Sequence, residues 1–185
     1  MMEENALDYM HSFLEDQVKN RDLAVDATLG TGRDSLYLKD SLKIQRIYGF
    51  DIQKEALDQA RERLGDQEGI QLIQDSHENM GHYIHEEVDV VCFNLGYLPG
   101  GDKTIITKKE STCRAIEEAL KLLREGGLMT ILLYRSHKGA QEEVEAVLNL
   151  LSQLDQKKFL VHWLSFPNQK NQPAYFLGLE KRTKK

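Results

Sequence analysis

The stretch from Leu23 to Asp34 constrains the fold of this chain more strongly than any other. It begins with a short apolar run that includes the β-branched Val25, and such a run predicts a buried strand. Gly30 and Gly32 follow, and the apolar spacing of a helix starts directly after them. A strand, a glycine turn and a helix in this order form the first unit of a nucleotide-binding α/β domain.

The spacing of the two glycines favours one kind of cofactor. A dinucleotide site uses G-x-G-x-x-G, so that a pyrophosphate sits on the helix N-terminus. Here Ser35 occupies the third glycine position, and the acidic Asp34 would repel a phosphate. An acidic strand end, Asp26, followed by G-x-G suits a cofactor with a cationic amino-acid end, such as S-adenosylmethionine. A tight turn that binds no ligand is the alternative interpretation.

Composition excludes several classes of protein. The 185 residues suit one domain, residues 1–185, with one sizeable core. No apolar run approaches the roughly 18 residues of a membrane span. Cys92 and Cys113 are too few for a disulfide framework. The N-terminus lacks the pattern of a signal peptide, so we expect a cytoplasmic location. The net charge of −6 argues against broad nucleic-acid binding, and the basic run at 181–185 is interpreted as a solvated end.

Short apolar runs alternate with stretches of helical spacing along the chain. Five such runs are predicted as strands of a parallel sheet with right-handed crossovers, and two later ones as an antiparallel hairpin at one edge. The predicted strands are 23–27, 47–50, 70–73, 88–93, 128–134, 159–164 and 175–179. This pattern predicts an α/β, Rossmann-like class I methyltransferase fold. Its sheet would be seven-stranded and mostly parallel with one antiparallel edge strand, and helices would cover both faces.

The helix predictions include three that the structure tests closely. The first helix carries Leu7, Met10 and Leu14 at helical spacing. A polar helix is predicted over about 77–85. A later helix, which carries Ile116, is predicted to end at Gly126-Gly127, because paired glycines terminate helices.

Polar side chains follow the first four predicted strands, and ligands of α/β sheets bind at these carboxyl ends. Asp51 lies nineteen positions after Gly32, near the spacing at which an acidic residue binds a ribose diol. Asp75 and the neighbouring Ser76 are placed to meet an adenine ring. Helix capping is the alternative interpretation for Asp51, Asp75 and Ser76.

Three histidines, His77, His82 and His85, fall within a short stretch. No cysteine or ordered set of carboxylates accompanies them, so no metal site is predicted. They are interpreted as solvated histidines of a helix.

The second informative stretch begins at Asn94, directly after the fourth strand. Amino-methyltransferases place an (Asn/Asp)-Pro-Pro-(Tyr/Phe) turn there, whose amide oxygen accepts a hydrogen bond from the target amine. Asn94 and Tyr97 keep those places, and Leu95 and Gly96 replace the prolines. An ordinary turn with a packed tyrosine is the alternative. The long aperiodic segment 94–110 is typical of a functional loop.

Four segments together resemble one known family. They are residues 26–34 (DATLGTGRD), 94–103 (NLGYLPGGDK), 134–139 (YRSHKG) and 168–175 (NQKNQPAY). The chain resembles the small bacterial "putative rRNA methylase" family of class I methyltransferases. Members of that family are understood to methylate the 5-aminomethyl group of the wobble 2-thiouridine in certain transfer RNAs. The resemblance therefore implies S-adenosylmethionine as cofactor and the anticodon stem-loop of a tRNA as partner, and it favours a homodimer.

These arguments define three sets of predicted site residues. The cofactor set is Asp26, Thr28, Gly30, Thr31, Gly32, Asp34, Asp51, Ile52, Asp75, Ser76, His77 and Asn94. The catalytic set is Asn94 to orient the amine, Tyr97 to pack on the base, and His137 or Asp102 to take the proton. The substrate set is Tyr97, Lys103, Lys108, Lys109, Arg135 and Lys138. The lysines and the arginine of this set would position phosphates. Methylation of ribosomal RNA or of a small amine, and an RNA-binding module without cofactor, remain the alternatives.

Overall fold

A computed structural model describes residues 5–18, 22–96, 107–136 and 139–183. The strands are β1 (Leu23–Asp26), β2 (Arg46–Asp51), β3 (Ile70–Gln74), β4 (Val88–Leu95), β5 (Leu123–Leu133), β6 (Phe159–Leu164) and β7 (Tyr175–Lys181). The helices are α1 (Ala6–Gln17), α2 (Arg33–Asp40), α3 (Lys54–Leu64), α4 (Lys109–Leu122) and α5 (Ala140–Ser152), with a 3₁₀ helix at His77–His82.

All seven strands form one sheet in the order β3-β2-β1-β4-β5-β7-β6. The first five pair in parallel, and β7 runs antiparallel to both β5 and β6. The predicted mostly parallel sheet with a reversed strand near one edge is confirmed, and β7 lies one place in from that edge. Strand order reverses between β1 and β4, and a crevice for ligands forms at such a switch point.

Helices cover both faces of the sheet, as predicted. On one face, Ile116 of α4 and Val147 of α5 pack on the central strands. On the other face, Met10 of α1 and Leu38 of α2 form a second buried cluster. A smaller cluster joins Leu57 of α3 to the loop after β1. Most of the predicted apolar positions, such as Met10, Leu14 and Ile116, are therefore buried, whereas Leu7 of the first helix is 36% exposed.

The first helix is fixed by its cap and by its apolar face. The side chain of Asn5 accepts hydrogen bonds from the backbone N–H groups of Leu7 and Asp8, both at 3.0 Å, and so satisfies two donors of the first turn. Met10 and Leu14 are fully buried. Among the described residues no helix combines the length and apolar composition needed to cross a bilayer.

Two element boundaries differ from the predictions. Helix α4 ends at Leu122, and β5 begins at the next residue, so Gly126-Gly127 does not end a helix. The pairing register instead jumps from Val88–Leu123 to Val90–Leu128, and the glycines lie in the bulge between these pairs. The predicted helix over 77–85 is a 3₁₀ helix that ends at His82.

Candidate cofactor and substrate site

A cavity of about 950 Å³ opens at the carboxyl ends of the parallel strands. Its volume lies near the upper end of the roughly 300–1,000 Å³ range of ligand pockets. The walls come from the loop after β1, the ends of β2, β3 and β4, the first turn of α4, the segment after β5, and α1. The cavity therefore lies at the switch point of the sheet.

The glycine turn after β1 forms one wall of this cavity. Gly30 and Gly32 have φ angles of 49° and 76°, in the left-handed region that glycine adopts without strain. The N–H of Leu29 donates to the carbonyl oxygen of Phe50 at 2.9 Å, and the turn is thereby tied to β2. A Cβ on Gly32 would lie 3.1 Å from Cβ of Ala60. Gly32 therefore lets α2 begin close to α3.

Asp51, at the end of β2, joins the glycine turn to the start of α3. Its Oδ2 accepts from the N–H of Gly30 and its Oδ1 from the N–H of Gln53, both at 2.9 Å. Burial raises the pKa of Asp51 more than these hydrogen bonds lower it. Each oxygen keeps further acceptor capacity, so the carboxylate can also receive two ribose hydroxyls. Asp51 is not the helix cap, since Gln53 occupies that position.

Asp75 lies at the centre of a hydrogen-bond network beyond β3. It accepts from the N–H of Ser76 at 2.7 Å, from Nδ2 of Asn79 at 2.8 Å and from the hydroxyl of Tyr83 at 2.8 Å. Partial desolvation opposes ionisation, but the three hydrogen bonds outweigh it and hold the pKa of Asp75 below its usual value. Ser76 is the N-cap of the 3₁₀ helix but makes no side-chain capping bond.

His77 is buried, with 8% of its surface exposed, so its interpretation as a solvated histidine is wrong. Its Nδ1 lies 3.0 Å from the carbonyl oxygen of Ala27, and its ring meets that of Phe93 edge-on. Burial lowers the pKa of His77. The 3₁₀ geometry turns this first residue toward β1 and β4 rather than toward water. The described residues contain no group of side chains that would hold a metal ion.

Asn94 is the polar group at the end of the central strand. Its backbone N–H donates to Oγ1 of Thr28 at 2.6 Å, and its Nδ2 donates to Oδ2 of Asp34. The Oδ1 atom is buried and has no hydrogen-bond partner among the described residues. Because the NH₂ group is held by Asp34, the amide presents its carbonyl oxygen as an unused acceptor.

Two carboxylates support this arrangement from inside the protein. Asp26 is 1% exposed, and its Oδ2 accepts from the hydroxyl of Ser35 at 2.7 Å. Burial, and then the charge of Asp34, raise the pKa of Asp26 to about 7. Burial also raises the pKa of Asp34, although the nearby His11 and Asn94 lower it.

Ten of the twelve predicted cofactor residues line the cavity, and Asp26 and Gly32 do not. Asp26 lies behind the wall, where Ser35 covers it, and Gly32 faces α3. A direct contact of these two residues with the cofactor stays a prediction, and the bonds of Asp26 to Thr28 and Ser35 show that it also supports the glycine turn. The ten residues that line the cavity are Thr28, Gly30, Thr31, Asp34, Asp51, Ile52, Asp75, Ser76, His77 and Asn94.

The remaining predicted substrate and catalytic residues lie in different surroundings. Lys108 lines the cavity. Lys109 does not line it, and its Nζ lies 3.9 Å from Oε1 of Glu110. Arg135 is half-buried, and its guanidinium stacks on Tyr175. Its role in positioning phosphates stays a prediction. The remaining predictions lie outside the described residues: Tyr97, Asp102, Lys103, His137 and Lys138.

The base of the segment 97–106 is closed by hydrogen bonds between its flanks. The N–H of Thr107 donates to the carbonyl oxygen of Gly96 at 3.0 Å. The hydroxyl groups of Thr107 and Thr112 donate to the buried Glu143 at 2.9 Å and 2.6 Å. The chain therefore leaves and re-enters the described structure at one point beside the cavity.

Tyr134 and His11 are among the cavity residues that the sequence predictions missed. Tyr134 is 41% exposed and packs against Gly96, where an added Cβ would lie 3.3 Å from Cβ of the tyrosine. Its place as the last residue of the predicted strand 128–134 was the available signal. His11 of α1 also lines the cavity, stacked on Tyr37 with ring centroids 3.8 Å apart. Nothing in the helical pattern of α1 distinguishes His11 from other partly polar positions.

The sheet order, the glycine turn after β1 and the acidic residue after β2 define a class I S-adenosylmethionine-dependent methyltransferase. The family model described as "Putative rRNA methylase" matches residues 47–180. The chain belongs to this family. S-adenosylmethionine is accordingly its cofactor, as predicted from the sequence.

Solved structures and a curated relative agree with this assignment. A putative rRNA methylase of Clostridium thermocellum is 39% identical, with a TM-score of 0.93 over 98% of this chain and 100% of that one. A putative methyltransferase of Streptococcus mutans, solved in complex with SAH, is 35% identical, with a TM-score of 0.89 over 97% and 99%. The chloroplastic tRNA (mnm(5)s(2)U34)-methyltransferase of Arabidopsis thaliana is 35% identical over 156 residues. That match covers 77% of this chain and 57% of the plant protein.

Proposed function

We propose that this chain methylates the 5-aminomethyl group of 5-aminomethyl-2-thiouridine at the wobble position of tRNA, giving 5-methylaminomethyl-2-thiouridine. The observation that carries the proposal is the buried, unpartnered Oδ1 of Asn94 at the switch point of the sheet. A buried acceptor without a partner costs free energy unless a ligand supplies a donor. An amine N–H is such a donor.

The described side chains fit the cofactor in their chemistry. Asp51, whose Oδ2 also accepts from the N–H of Gly30, suits a ribose diol, and the Asp75–Ser76 corner suits an adenine edge. Ile52 is 56% exposed beside Asp51 and provides an apolar surface for the base. When bound, S-adenosylmethionine supplies an electrophilic methyl group on a sulfonium.

Asn94 orients the attacking amine, and Asp34 fixes the orientation of Asn94. An amide that turned over would place its NH₂ group toward the substrate and its oxygen against the Asp34 carboxylate. The bond from Nδ2 to Asp34 opposes that rotation, so Oδ1 remains available to accept from the amine. The amine must be neutral to attack, and transfer into a site that excludes water favours the neutral form. Correct orientation alone can supply roughly 7–11 kcal/mol of a barrier.

The curated plant relative supports tRNA as the substrate by its printed name. The family name favours ribosomal RNA as the second candidate. His137 and Asp102 remain predictions for the group that takes the proton.

The test is a methylation assay with labelled S-adenosylmethionine and two RNA pools, tRNA and rRNA, both from cells that lack the gene. We expect label in the wobble nucleoside of tRNA, identified by mass spectrometry after digestion. Asn94→Ala should lower the methylation rate by about a hundredfold or more, as loss of an orienting polar group does. Its affinity for S-adenosylhomocysteine, measured by calorimetry, should change little.

Gln59→Ala is the matched control, because Gln59 is an exposed amide on α3 outside the cavity. Label found only in rRNA would contradict the proposal and favour methylation of ribosomal RNA, the second candidate. Full activity of Asn94→Ala would remove the observation on which the proposal rests.

A further inference from the structure

Three side chains form a continuous cationic and aromatic row beside the cavity. The guanidinium of Arg135 lies 4.2 Å from the ring centroid of Tyr175, and its Nη1 donates to the hydroxyl of that tyrosine at 2.7 Å. The ring of Trp163 meets the Tyr175 ring edge-on, at 5.3 Å and 78°. We call Arg135, Tyr175 and Trp163 the aromatic row.

The row spans three neighbouring strands on the side of the sheet where the parallel strands have their carboxyl ends and the cavity opens. Arg135 follows the end of β5, Tyr175 begins β7, and Trp163 lies near the end of β6. Leu132 pairs with Asn94 on one side and with Phe176 on the other, and Phe176 pairs with Leu164. Three strand spacings therefore separate Asn94 from the end of β6, a distance of roughly 14–15 Å.

Trp163 is the most exposed of the large apolar side chains in the described ranges, at 58%. Of the four others, Leu7, Ile52 and Tyr134 line the cavity, and Tyr83 donates to the cavity residue Asp75. Trp163 is thus the one that the cofactor cavity does not account for. The exposed polar turn 168–172, with its amide side chains and Lys170, lies at the same edge.

We propose that the aromatic row is a stacking platform for an unpaired base of the RNA substrate, next to the base that reacts. Because Trp163 and Tyr175 meet edge-on, the ring whose edge makes the contact keeps both of its faces clear of the other ring. Exposed aromatic rings and arginine planes are the surfaces on which proteins stack single-stranded bases. The proposal rests on the proposed function in requiring an RNA substrate, but it does not depend on which RNA that is.

The chemistry of the surroundings favours RNA over a second copy of this chain. The row combines a guanidinium, two aromatic rings and an amide-rich turn, which suit base faces, base edges and phosphates. Arg135 also stands in the sequence between Tyr134 and Ser136, which both line the cavity. A substrate whose reacting base enters the cavity would reach the row with its neighbouring nucleotides.

Trp163 is the only tryptophan of the chain, so its fluorescence reports directly on the row. We expect an anticodon stem-loop RNA to quench this fluorescence, with a dissociation constant equal to that from anisotropy of the labelled RNA. S-adenosylhomocysteine alone should leave the fluorescence nearly unchanged. A fluorescence signal that RNA does not alter would overturn the proposal.

Substitution gives the second arm of the test. Trp163→Ala should weaken RNA binding by about tenfold to a hundredfold and raise KM with little change in kcat, because stacking acts on binding. Trp163→Phe should keep most of the affinity. His162→Ala is the control, since the neighbouring residue points to the opposite face of β6, toward Phe13.

Two measurements separate this proposal from its alternatives. The loss in Trp163→Ala should be similar at low and high salt, because stacking releases few counterions. If the substitution changes the sedimentation of the protein and leaves RNA affinity intact, a second copy occupies this surface and the proposal is wrong. If Trp163→Ala weakens binding of an rRNA substrate that proves to be the methylated one, the proposed function fails and the platform stands.

Discussion

The carboxylate of Asp51 serves both the fold and the cofactor site. It satisfies the N–H groups of Gly30 and Gln53 and still faces the cavity. Asp51→Ala should therefore weaken binding of S-adenosylhomocysteine by about tenfold to a hundredfold, the range expected for hydrogen bonds to a charged group. Calorimetric titration measures this change. Asp58→Ala, at an exposed position on α3, should bind like the parent protein, and equal loss in both variants would contradict the assignment.

The buried Asp26 predicts an unusual pH dependence of stability. Its pKa lies at about 7 in the folded chain, against 3.8 as the ordinary value. The folded state therefore holds a proton that the unfolded state releases near pH 4, and the contribution of Asp26 to stability falls as pH rises from about 4 to 7. Asp26→Asn removes this titration. Urea denaturation gives the unfolding free energy of each protein. The value for Asp26→Asn should rise relative to that of the parent as pH increases from about 4 to 7.

Asp58 provides the opposite case as a control. A hydrogen bond from Lys54, the charges of Lys54 and Arg61, and a hydrogen bond from Arg61 lower its pKa. The stabilisation from Asp58 is thus lost as pH falls below the ordinary value. The difference between Asp58→Asn and the parent should stay flat from pH 5 to 7, whereas a slope like that of Asp26→Asn would show that the effect is not specific to the buried group.

At the scale of elements, Gly69 fixes the attachment of β3 to β2. Its carbonyl oxygen accepts from the N–H of Ile47 at 2.8 Å, and a Cβ on Gly69 would lie 2.2 Å from the carbonyl oxygen of Gln45. Gly65, in the same connection, also has a positive φ, but open space surrounds its Cβ position. Gly65→Ala should cost about 1–3 kcal/mol from backbone strain. Gly69→Ala should cost more, and equal denaturation midpoints would contradict the steric argument.

The elements also show how far the sequence predicts this molecule. Local patterns sufficed where burial follows periodicity, as in α1 and the central β4. They failed at Gly126-Gly127, because the bulge there is set by pairing of β5 with a strand distant in sequence. The same reason applies to His77, whose buried surroundings include the carbonyl oxygen of Ala27 after β1. The position of a residue at a strand end predicted much of the cavity lining. Which of those side chains are free to bind a ligand depends on contacts between residues distant in sequence, which local patterns do not contain.

At the scale of the whole molecule, cofactor binding should stabilise the fold, because the cavity joins both halves of the sheet. A ligand at a hundred times its dissociation constant adds about 2.7 kcal/mol to the unfolding free energy. For a chain of this size, that corresponds to an increase in Tm of roughly 5–11 °C. Thermal melts with S-adenosylhomocysteine test this expectation. Asp51→Ala at the same ligand concentration should show a smaller increase, and an equal one would contradict the placement of the ligand.

The hydrogen bond from Thr107 to Gly96 joins the two residues that flank the segment 97–106. Because this bond holds Gly96 and Thr107 together, we expect a change in the number of residues between them to alter mainly the entropy of closing that segment. Doubling a loop costs only about 0.6 kcal/mol in closure entropy. We therefore expect the cofactor side of the cavity to tolerate replacement of this segment. A chimaera that carries a serine–glycine replacement of residues 97–106 should retain ligand-induced thermal stabilisation and lose methyl transfer.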